Sequence, residues 1–301
     1  DQQLATIRQR QMDPGALATD AARAAYFAAD VPYARAVDGT VASIESMSRD
    51  TLAGYVEANY RPEEGGLVVV GDVELDEVAD MASTHFGDWT GAPAHAADFE
   101  VRPDHVQRRV ILVHRPGAVQ SEVRIGHVGA SRSIPDYYPL SIANMVLGGM
   151  FTSRLNLNLR EEHGFTYGVR SRFTFRSHPG PFQISTAVGN DVTAAAVREA
   201  MSELTLMAEH GPTEEEVSAA RDYAAGVFGL QLETSGQIAT RVNQLLIYGL
   251  ADDHYDRYRD DVRAVTADAA AAAARQYMRP AEAQIVVVGD ADAGYRPLEE
   301  L

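Results

Sequence analysis

The sequence predicts a duplicated α+β fold, with an antiparallel-type sheet and helices packed on one face of that sheet. Two observations lead to this prediction. A helix-to-strand unit recurs at a constant displacement of 218 positions, so that residues 61–72 match residues 279–290 without a gap. In the second half of the chain, strand-like segments come early and long helices come late, which is typical of α+β domains.

Each repeated unit reads as a helix that leads into a buried strand. Ser48 and Thr266 are N-cap residue types at the start of the two helical stretches, and an Arg-Pro pair stops each helix. The apolar, mostly β-branched runs 67–70 and 285–288 follow, and each ends at Gly-Asp. We therefore expect two buried strands, with Phe86 and Trp89 closing the core of the first copy.

The same displacement predicts that the first copy is truncated at its N-terminus, because the counterpart of residues 108–218 would lie before Asp1. The domain organisation expected from this is residues 1–92 as the C-terminal part of a first domain, 93–106 as a linker and 107–301 as a second domain.

The second copy has clear local patterns. Alternation of apolar and polar residues predicts strands, and helical periodicity with capping residues predicts helices. The expected strands are residues 109–114, 122–129, 165–175 and 182–188, the last two forming a hairpin. The expected helices are residues 137–147, 151–160, 192–210, 214–233 and 236–248.

Composition and charge exclude several classes of protein. The chain has 43 acidic and 26 basic residues, a net charge of −17, so it would repel phosphate backbones and nucleic-acid binding is not expected. The same charge favours cationic ligands. The sequence has no Cys, which excludes disulfides and thiolate metal sites. No apolar run reaches the roughly 18–20 residues of a membrane span.

The sequence also lacks several catalytic motifs. It contains no Lys and no G-x-S-x-G, which excludes a P-loop ATPase, Schiff-base chemistry and the nucleophile elbow of serine hydrolases. None of its nine His lies four positions from another, so no helix presents a pair of His to zinc. The acidic cluster at residues 214–216 is better explained by the positive end of a helix than by calcium.

One stretch carries a specific pattern. Residues 147–155 read LGGMFTSRL and residues 159–167 read LREEHGFTY. Together they closely resemble the C-terminal half of the M16 metallopeptidase family, which includes pitrilysin, insulinase and the mitochondrial processing peptidase. The first copy is similar to the same family at VPY in residues 31–33, YRP in residues 60–62 and FGDW in residues 86–89. The resemblance covers essentially the whole chain.

The resemblance implies two similar domains that close around a peptide, with the fold class of LuxS and the mitochondrial processing peptidase. The family's zinc site, an inverted H-x-x-E-H and a later Glu, lies on the first domain, and its motif would fall before Asp1. We therefore expect no catalytic residue, no metal ligand and no cofactor in this chain. Zinc is expected in the missing N-terminal part or in a partner subunit.

The resemblance assigns a substrate-binding role to Arg160 and Tyr167. In the family, the matching Arg and Tyr reach from the second domain to the peptide at the zinc. A guanidinium and a phenol can donate hydrogen bonds to peptide carbonyls and to the oxyanion of a tetrahedral intermediate. The neighbouring residues Arg170, Arg172 and Arg176 are interpreted as a solvated face of a sheet.

The expected function is the non-catalytic, substrate-binding part of an M16-type zinc metalloendopeptidase, with the chain inactive when alone. One alternative is a non-catalytic subunit that pairs with a separate zinc-bearing chain, and another is a scaffold or binding protein that kept the fold without peptidase activity. The expected partners are a peptide, with a preference for cationic peptides, and a second M16 subunit in a homodimer or heterodimer. A bacterial protein of the cytoplasm or periplasm fits this resemblance.

Overall fold

The computed structural model describes residues 1–62, 65–90 and 99–293. Within these ranges the chain forms helices and strands in the order expected for an α+β protein. The helices are α1 Gln2–Met12, α2 Pro14–Tyr26, α3 Val41–Glu45, α4 Arg49–Asn59, α5 Leu75–Phe86, α6 Tyr137–Asn144, α7 Arg154–Asn156, α8 Thr193–His210, α9 Glu214–Val227, α10 Ser235–Tyr248, α11 His254–Arg263 and α12 Ala267–Tyr277. The strands are β1 Arg109–His114, β2 Gln120–Val128, β3 Val169–Phe173, β4 Pro181–Gly189 and β5 Gln284–Gly289.

The five strands form one sheet in the order β1-β5-β2-β4-β3. The pairs β2–β4, β3–β4 and β2–β5 are antiparallel, whereas β1 and β5 are parallel. The expectation of an antiparallel-type sheet is therefore corrected to a mixed sheet. The chain between β1 and β5 includes the α8–α12 region, and such a long connection allows the two strands to run in the same direction.

One face of the sheet carries the larger core. Helices α6, α8, α9, α11 and α12 pack there against apolar side chains of the strands, and residues such as Leu140, Leu204, Ile125 and Val287 are fully buried. The capping box at Thr213 and Glu216, where each side chain bonds the other residue's backbone N–H, starts α9. This is the second core that the late, long helices predict.

The other face of the sheet is covered in part by α2. Ala18, Ala22 and Ala25, which share one side of α2, pack on Val286 and Val288 of β5. The expectation of helices on one face is therefore wrong. Every residue of β5 is buried, so β5 presents apolar side chains to both faces, and both faces need cover.

Residues 41–90 differ from the rest of the described chain. Helices α4 and α5 contain no buried residue, and residues 67–70 form no strand in the described structure. The expected first strand is therefore wrong, because this segment has no neighbouring strand to pair with among the described residues. Phe86 and Trp89 remain about half exposed, at 53% and 44%, and do not close a core.

Several predicted elements are confirmed and others are shorter. Ser48 and Thr266 cap α4 and α12 as expected, and β3 and β4 form the expected antiparallel pair. Strand β3 covers only the middle of the predicted range 165–175, because residues 165–168 form a loop before it. The extra length of the predicted strand is thus the loop that holds Tyr167.

The predicted linker 93–106 lies partly outside the described residues. Its described part pairs with the end of α2, since Phe27 forms a β-bridge with Pro103 and the Ala28 N–H donates to Arg102 O at 3.1 Å. The domain boundaries themselves stay a prediction. No helix in the described ranges is both long and apolar enough to cross a membrane.

Candidate functional site

The segment singled out in the sequence begins where α6 gives way to a π-helical turn, Met145–Gly149. This turn packs directly on β3. A Cβ on Gly148 would lie 2.6 Å from the Ser171 backbone nitrogen, so only glycine allows the approach. Two hydrogen bonds join the same elements: Asn144 Nδ2 donates to Ser171 O at 3.2 Å, and Ser171 Oγ donates to Asn144 Oδ1 at 2.9 Å.

The structure brings the two predicted residues together. Arg160 lies in a second π-helical turn, Leu157–Glu162, and Tyr167 lies in the loop before β3. The Arg160 guanidinium carbon is 5.3 Å from the centroid of the Tyr167 ring. Tyr167 is 92% exposed, so its phenol faces solvent and is free to contact a ligand.

Phe151 is a third member of this site that the sequence reasoning missed. The Arg160 guanidinium carbon lies 4.5 Å from the Phe151 ring centroid, which is within the range of a cation–π contact. Phe151 is 66% exposed. The guanidinium therefore has two aromatic neighbours, and its position directly after the Gly-Gly pair is the signal that could have identified Phe151.

The loop that carries Tyr167 is fixed by hydrogen bonds rather than by its exposed aromatic. Thr166 Oγ1 lies 2.8 Å from Ala187 O and 3.0 Å from Gly168 O. Thr186 Oγ1 donates to Thr166 Oγ1 at 2.9 Å, and Asn156 Oδ1 accepts from the Val169 N–H at 3.2 Å. Because the backbone on both sides is held, the exposed Tyr167 side chain is presented at a defined place.

The chemistry available at this site is hydrogen-bond donation next to apolar surface. Arg160 has one charged neighbour in the described structure, Glu161, whose carboxylate oxygen lies 3.4 Å from Arg160 Nε. Both residues are partly exposed, so this pair costs little to rearrange. A guanidinium with free donors beside a phenol and a phenyl ring is suited to peptide carbonyls and to the flat apolar parts of a peptide.

Arg154, from the same motif, has a structural role. It donates to both carboxylate oxygens of Glu216, at 2.7 and 2.6 Å, and to Gly211 O at 3.0 Å. Partial burial raises the pKa of Glu216, but the hydrogen bonds from Arg154 and Thr213 outweigh it, and the pKa lies below its usual range. This two-point contact joins α7 to the start of α9.

The described residues were expected to hold no metal, and they do contain one group of possible ligands. His114, Asp290 and Asp292 place one ligand atom each within 4.8 Å of one another, at the ends of β1 and β5. Their polar atoms are already used: His114 Nδ1 accepts from the Ala291 N–H at 3.0 Å, and Asp290 accepts from the Gly117 and Asp292 N–H groups. A ring nitrogen that accepts a backbone N–H has no lone pair left for zinc. This group therefore does not fit a catalytic zinc.

A comparison with family models gives the identity of this arrangement. The model described as the peptidase M16 inactive domain matches residues 46–223, more than half of the chain. The chain belongs to the peptidase M16 family. The matched range contains the whole segment from Gly148 to Tyr167, so the resemblance found in the sequence is confirmed.

Relatives and solved structures agree with the M16 assignment. An uncharacterized zinc protease of Mycobacterium leprae is 28% identical over 257 residues, covering 85% of this chain and 56% of the relative. A non-peptidase homolog of Helicobacter pylori is 25% identical over 254 residues, covering 82% of this chain and 56% of the relative. The chain thus spans little more than half the length of these relatives.

A crystal structure of a peptidase M16 inactive domain from Pseudomonas fluorescens has a similar fold. It matches with a TM-score of 0.86 at 25% identity and covers 96% of this chain and 68% of that one. The M16 fold is therefore established for this chain, with a mixed sheet and packed helices.

Proposed function

We propose that this chain is the non-catalytic, substrate-binding part of an M16-type zinc metalloendopeptidase. The observation that supports the proposal is the cluster of Arg160, Tyr167 and Phe151, which is exposed, held on a fixed backbone and made of groups that bind peptide carbonyls and apolar side chains. The zinc-binding residues would belong to a preceding part of a longer polypeptide or to a separate M16 chain. The duplicated, truncated domain arrangement is part of this proposal.

In this proposal the peptide lies in an extended form against the loop at residues 164–168. The Arg160 guanidinium donates to a peptide carbonyl, and the Tyr167 hydroxyl donates to a neighbouring carbonyl or to the oxyanion that forms during hydrolysis. Phe151 covers one side of the guanidinium and limits its rotation. The pair acts together with the zinc-bearing domain and replaces none of its chemistry.

Peptide binding by variants of the 301-residue chain tests the proposal. We expect Arg160→Ala to weaken binding of a fluorescent, extended 12-residue peptide about tenfold, since a charge-assisted hydrogen bond and a stacked guanidinium are lost. Tyr167→Phe removes only one hydroxyl and should weaken binding about threefold. Fluorescence anisotropy measures both values.

Matched controls use the same substitutions away from the site. Arg198→Ala on α8 and Tyr223→Phe on α9 change exposed residues of the same types, and we expect them to leave the dissociation constant unchanged. Equal losses in the site and control variants would contradict the assignment of Arg160 and Tyr167 to peptide binding.

A second candidate is a binding or scaffold protein without a peptidase partner. The relative of Helicobacter pylori that is named a non-peptidase homolog favours it. The two candidates differ in one measurable property: a scaffold that holds a folded partner should show no affinity for extended peptides, and its partner complex should survive Arg160→Ala.

A further inference from the structure

A cleft of about 740 Å³ lies on the part of the sheet that α2 leaves uncovered, above β4 and β3. Among the described residues that line it are four arginines, Arg23, Arg170, Arg172 and Arg176, and no Asp or Glu. This is the reverse of the composition of the chain, which has 43 acidic and 26 basic residues. The sequence interpretation of the last three as a solvated sheet face is therefore incomplete, because they line a concave site with α2 as its wall.

The positive charges in this cleft are only partly compensated. Arg170 and Arg172 have no hydrogen-bond or ion-pair partner within the described residues, and both are exposed. Arg176 lies over the Tyr33 ring, with its guanidinium carbon 4.4 Å from the centroid. Arg23 contacts Asp20 at 3.1 Å and is the one of the four with a carboxylate partner in the described structure. The cleft therefore keeps a local excess of positive charge.

Strand geometry sets the spacing of the two unpaired guanidinium groups. Arg170 and Arg172 are two residues apart on the same face of β3, opposite Ser185 and Gln183 of β4. Alternate residues of a strand are roughly 6.6 Å apart along its axis. An extended peptide presents every second side chain with the same spacing, so carboxylates at positions i and i+2 match the two arginines.

The free edge of β3 is not where such a peptide would pair. Asn144 Nδ2 already donates to Ser171 O, and the Gly148 backbone lies against the Ser171 nitrogen. The peptide would therefore lie over the face of β3 and β4, where Gln183 and Ser185 add polar side chains. The aromatic rings of Tyr137 and Phe175 line the same cleft and offer apolar contact.

The cleft is continuous with the site of the proposed function. Arg170 and Ser185 also line a neighbouring hollow of about 530 Å³ that contains Tyr167 and the loop from Gly164 to Gly168. A peptide in contact with Tyr167 can thus extend into the cleft without crossing the core of the protein.

We propose that this cleft binds a segment of the peptide substrate that carries carboxylates two residues apart. The inference rests on the proposed function and adds a substrate class to it. It differs from the preference for cationic peptides that the net charge predicts. At physiological ionic strength the screening length is about 8 Å, so groups in contact with the arginines experience the local charge more than the charge of the whole chain.

The test compares matched peptides by fluorescence anisotropy with the 301-residue chain. The peptides differ only at two positions, Glu-Ala-Glu, Gln-Ala-Gln or Lys-Ala-Lys, placed four residues to one side or the other of the centre. We expect the Glu-Ala-Glu peptide to bind at least about tenfold more tightly than Gln-Ala-Gln. A Glu-Glu-Ala peptide should bind less tightly than Glu-Ala-Glu, because adjacent side chains point to opposite sides.

Variants of the two exposed arginines then locate the effect. R170Q/R172Q should remove the preference for Glu-Ala-Glu, R170K/R172K should keep most of it, and R170E/R172E should shift the preference to Lys-Ala-Lys. The control R49Q/R198Q removes two exposed arginines outside the cleft and changes net charge equally, so it should leave the preference in place.

The outcomes separate this inference from the proposed function. Equal binding of the Glu and Gln peptides, together with weaker binding in Arg160→Ala, would overturn the acidic cleft and leave the peptide-binding role intact. An equal loss in R170Q/R172Q and R49Q/R198Q would also overturn it, since net charge alone would then explain the preference. Absence of binding for every peptide would overturn both.

Discussion

Residues 67–72 and 285–290 share the pattern of an apolar run ended by Gly-Asp, yet they have different structures. Val287 is fully buried in β5, which pairs with β1 on one side and β2 on the other. Val69, at the matching position of the first copy, is 46% exposed, and its segment forms no strand in the described structure. The difference shows that a β-branched run has only a tendency to form a strand, and that neighbouring strands and a covering helix complete it.

The helices that neighbour these two segments show the same contrast. Helix α2 buries Ala18, Ala22 and Ala25 against β5 and its neighbours. Helix α10, which lies near the position that the displacement of 218 assigns to the counterpart of α2, buries no residue, and its Leu246 lies close to Gly66. The packed half of the described chain therefore carries most of the burial, and the first copy is expected to add little to global stability.

A matched pair of valine truncations tests this contrast with the largest effect. Val287→Ala deletes two methyl groups from a fully buried site between two strands, and we expect it to lower the free energy of unfolding by about 2–3 kcal/mol. Val69→Ala should lower it by less than about 0.5 kcal/mol. Urea denaturation measures both. Similar losses at the two positions would show that residues 67–72 are packed as tightly as β5.

The pH dependence of stability should also come from the packed half. His127 is buried on β2; its Nδ1 lies 2.8 Å from Val128 O and its Nε2 accepts the Arg279 N–H at 3.1 Å. Burial, together with the charge of Arg279, lowers the pKa of His127 to about 3. Because the folded pKa lies below the unfolded value of about 6.5, the unfolded chain takes up the proton first as the pH falls.

This stabilisation is thus fully present above about pH 6.5 and is lost as the pH falls toward 3, with a slope of up to about 1.4 kcal/mol per pH unit. His127→Gln should flatten the slope measured by urea denaturation between pH 7 and pH 5. His85→Gln, at an exposed position of α5, is the control and should leave the slope unchanged. Parallel slopes in the wild type and His127→Gln would contradict the role of His127.

A reciprocal pair of helix substitutions gives the smallest effect. Gly54 on α4 and Ala272 on α12 are counterparts at the same displacement, and both are exposed. Ala272→Gly should lower the free energy of unfolding by about 0.5–1 kcal/mol, the difference in helix propensity. Gly54→Ala should change it by less than about 0.3 kcal/mol, because α4 has no buried residue that couples it to the core. A full reciprocal gain would show that α4 unfolds together with the packed half.

Local patterns were sufficient for much of this fold and for part of its site. The caps at Ser48 and Thr266 and the hairpin of β3 and β4 follow from residue types close together in the sequence. Arg160 and Tyr167 were found because their motif is compact and specific. Their contact with peptide stays a prediction.

Features that depend on distant parts of the chain could not be predicted in this way. The parallel pairing of β1 with β5 joins segments from opposite ends of the second copy. The cover that α2 gives to the second face, and the cleft where Arg23 meets Arg170 and Arg172, also join such segments. Phe151 was missed because an exposed aromatic has no periodic pattern.

The most direct test of the central claim measures peptide binding and peptide cleavage by the 301-residue chain in one sample. A peptide that carries a fluorophore and a quencher is incubated with the chain and micromolar zinc, and anisotropy of a singly labelled version is followed in parallel. The account predicts saturable binding that Arg160→Ala weakens about tenfold, with no cleavage with or without zinc. Cleavage that requires zinc and is stopped by a chelator, or binding that Arg160→Ala leaves unchanged, would contradict it.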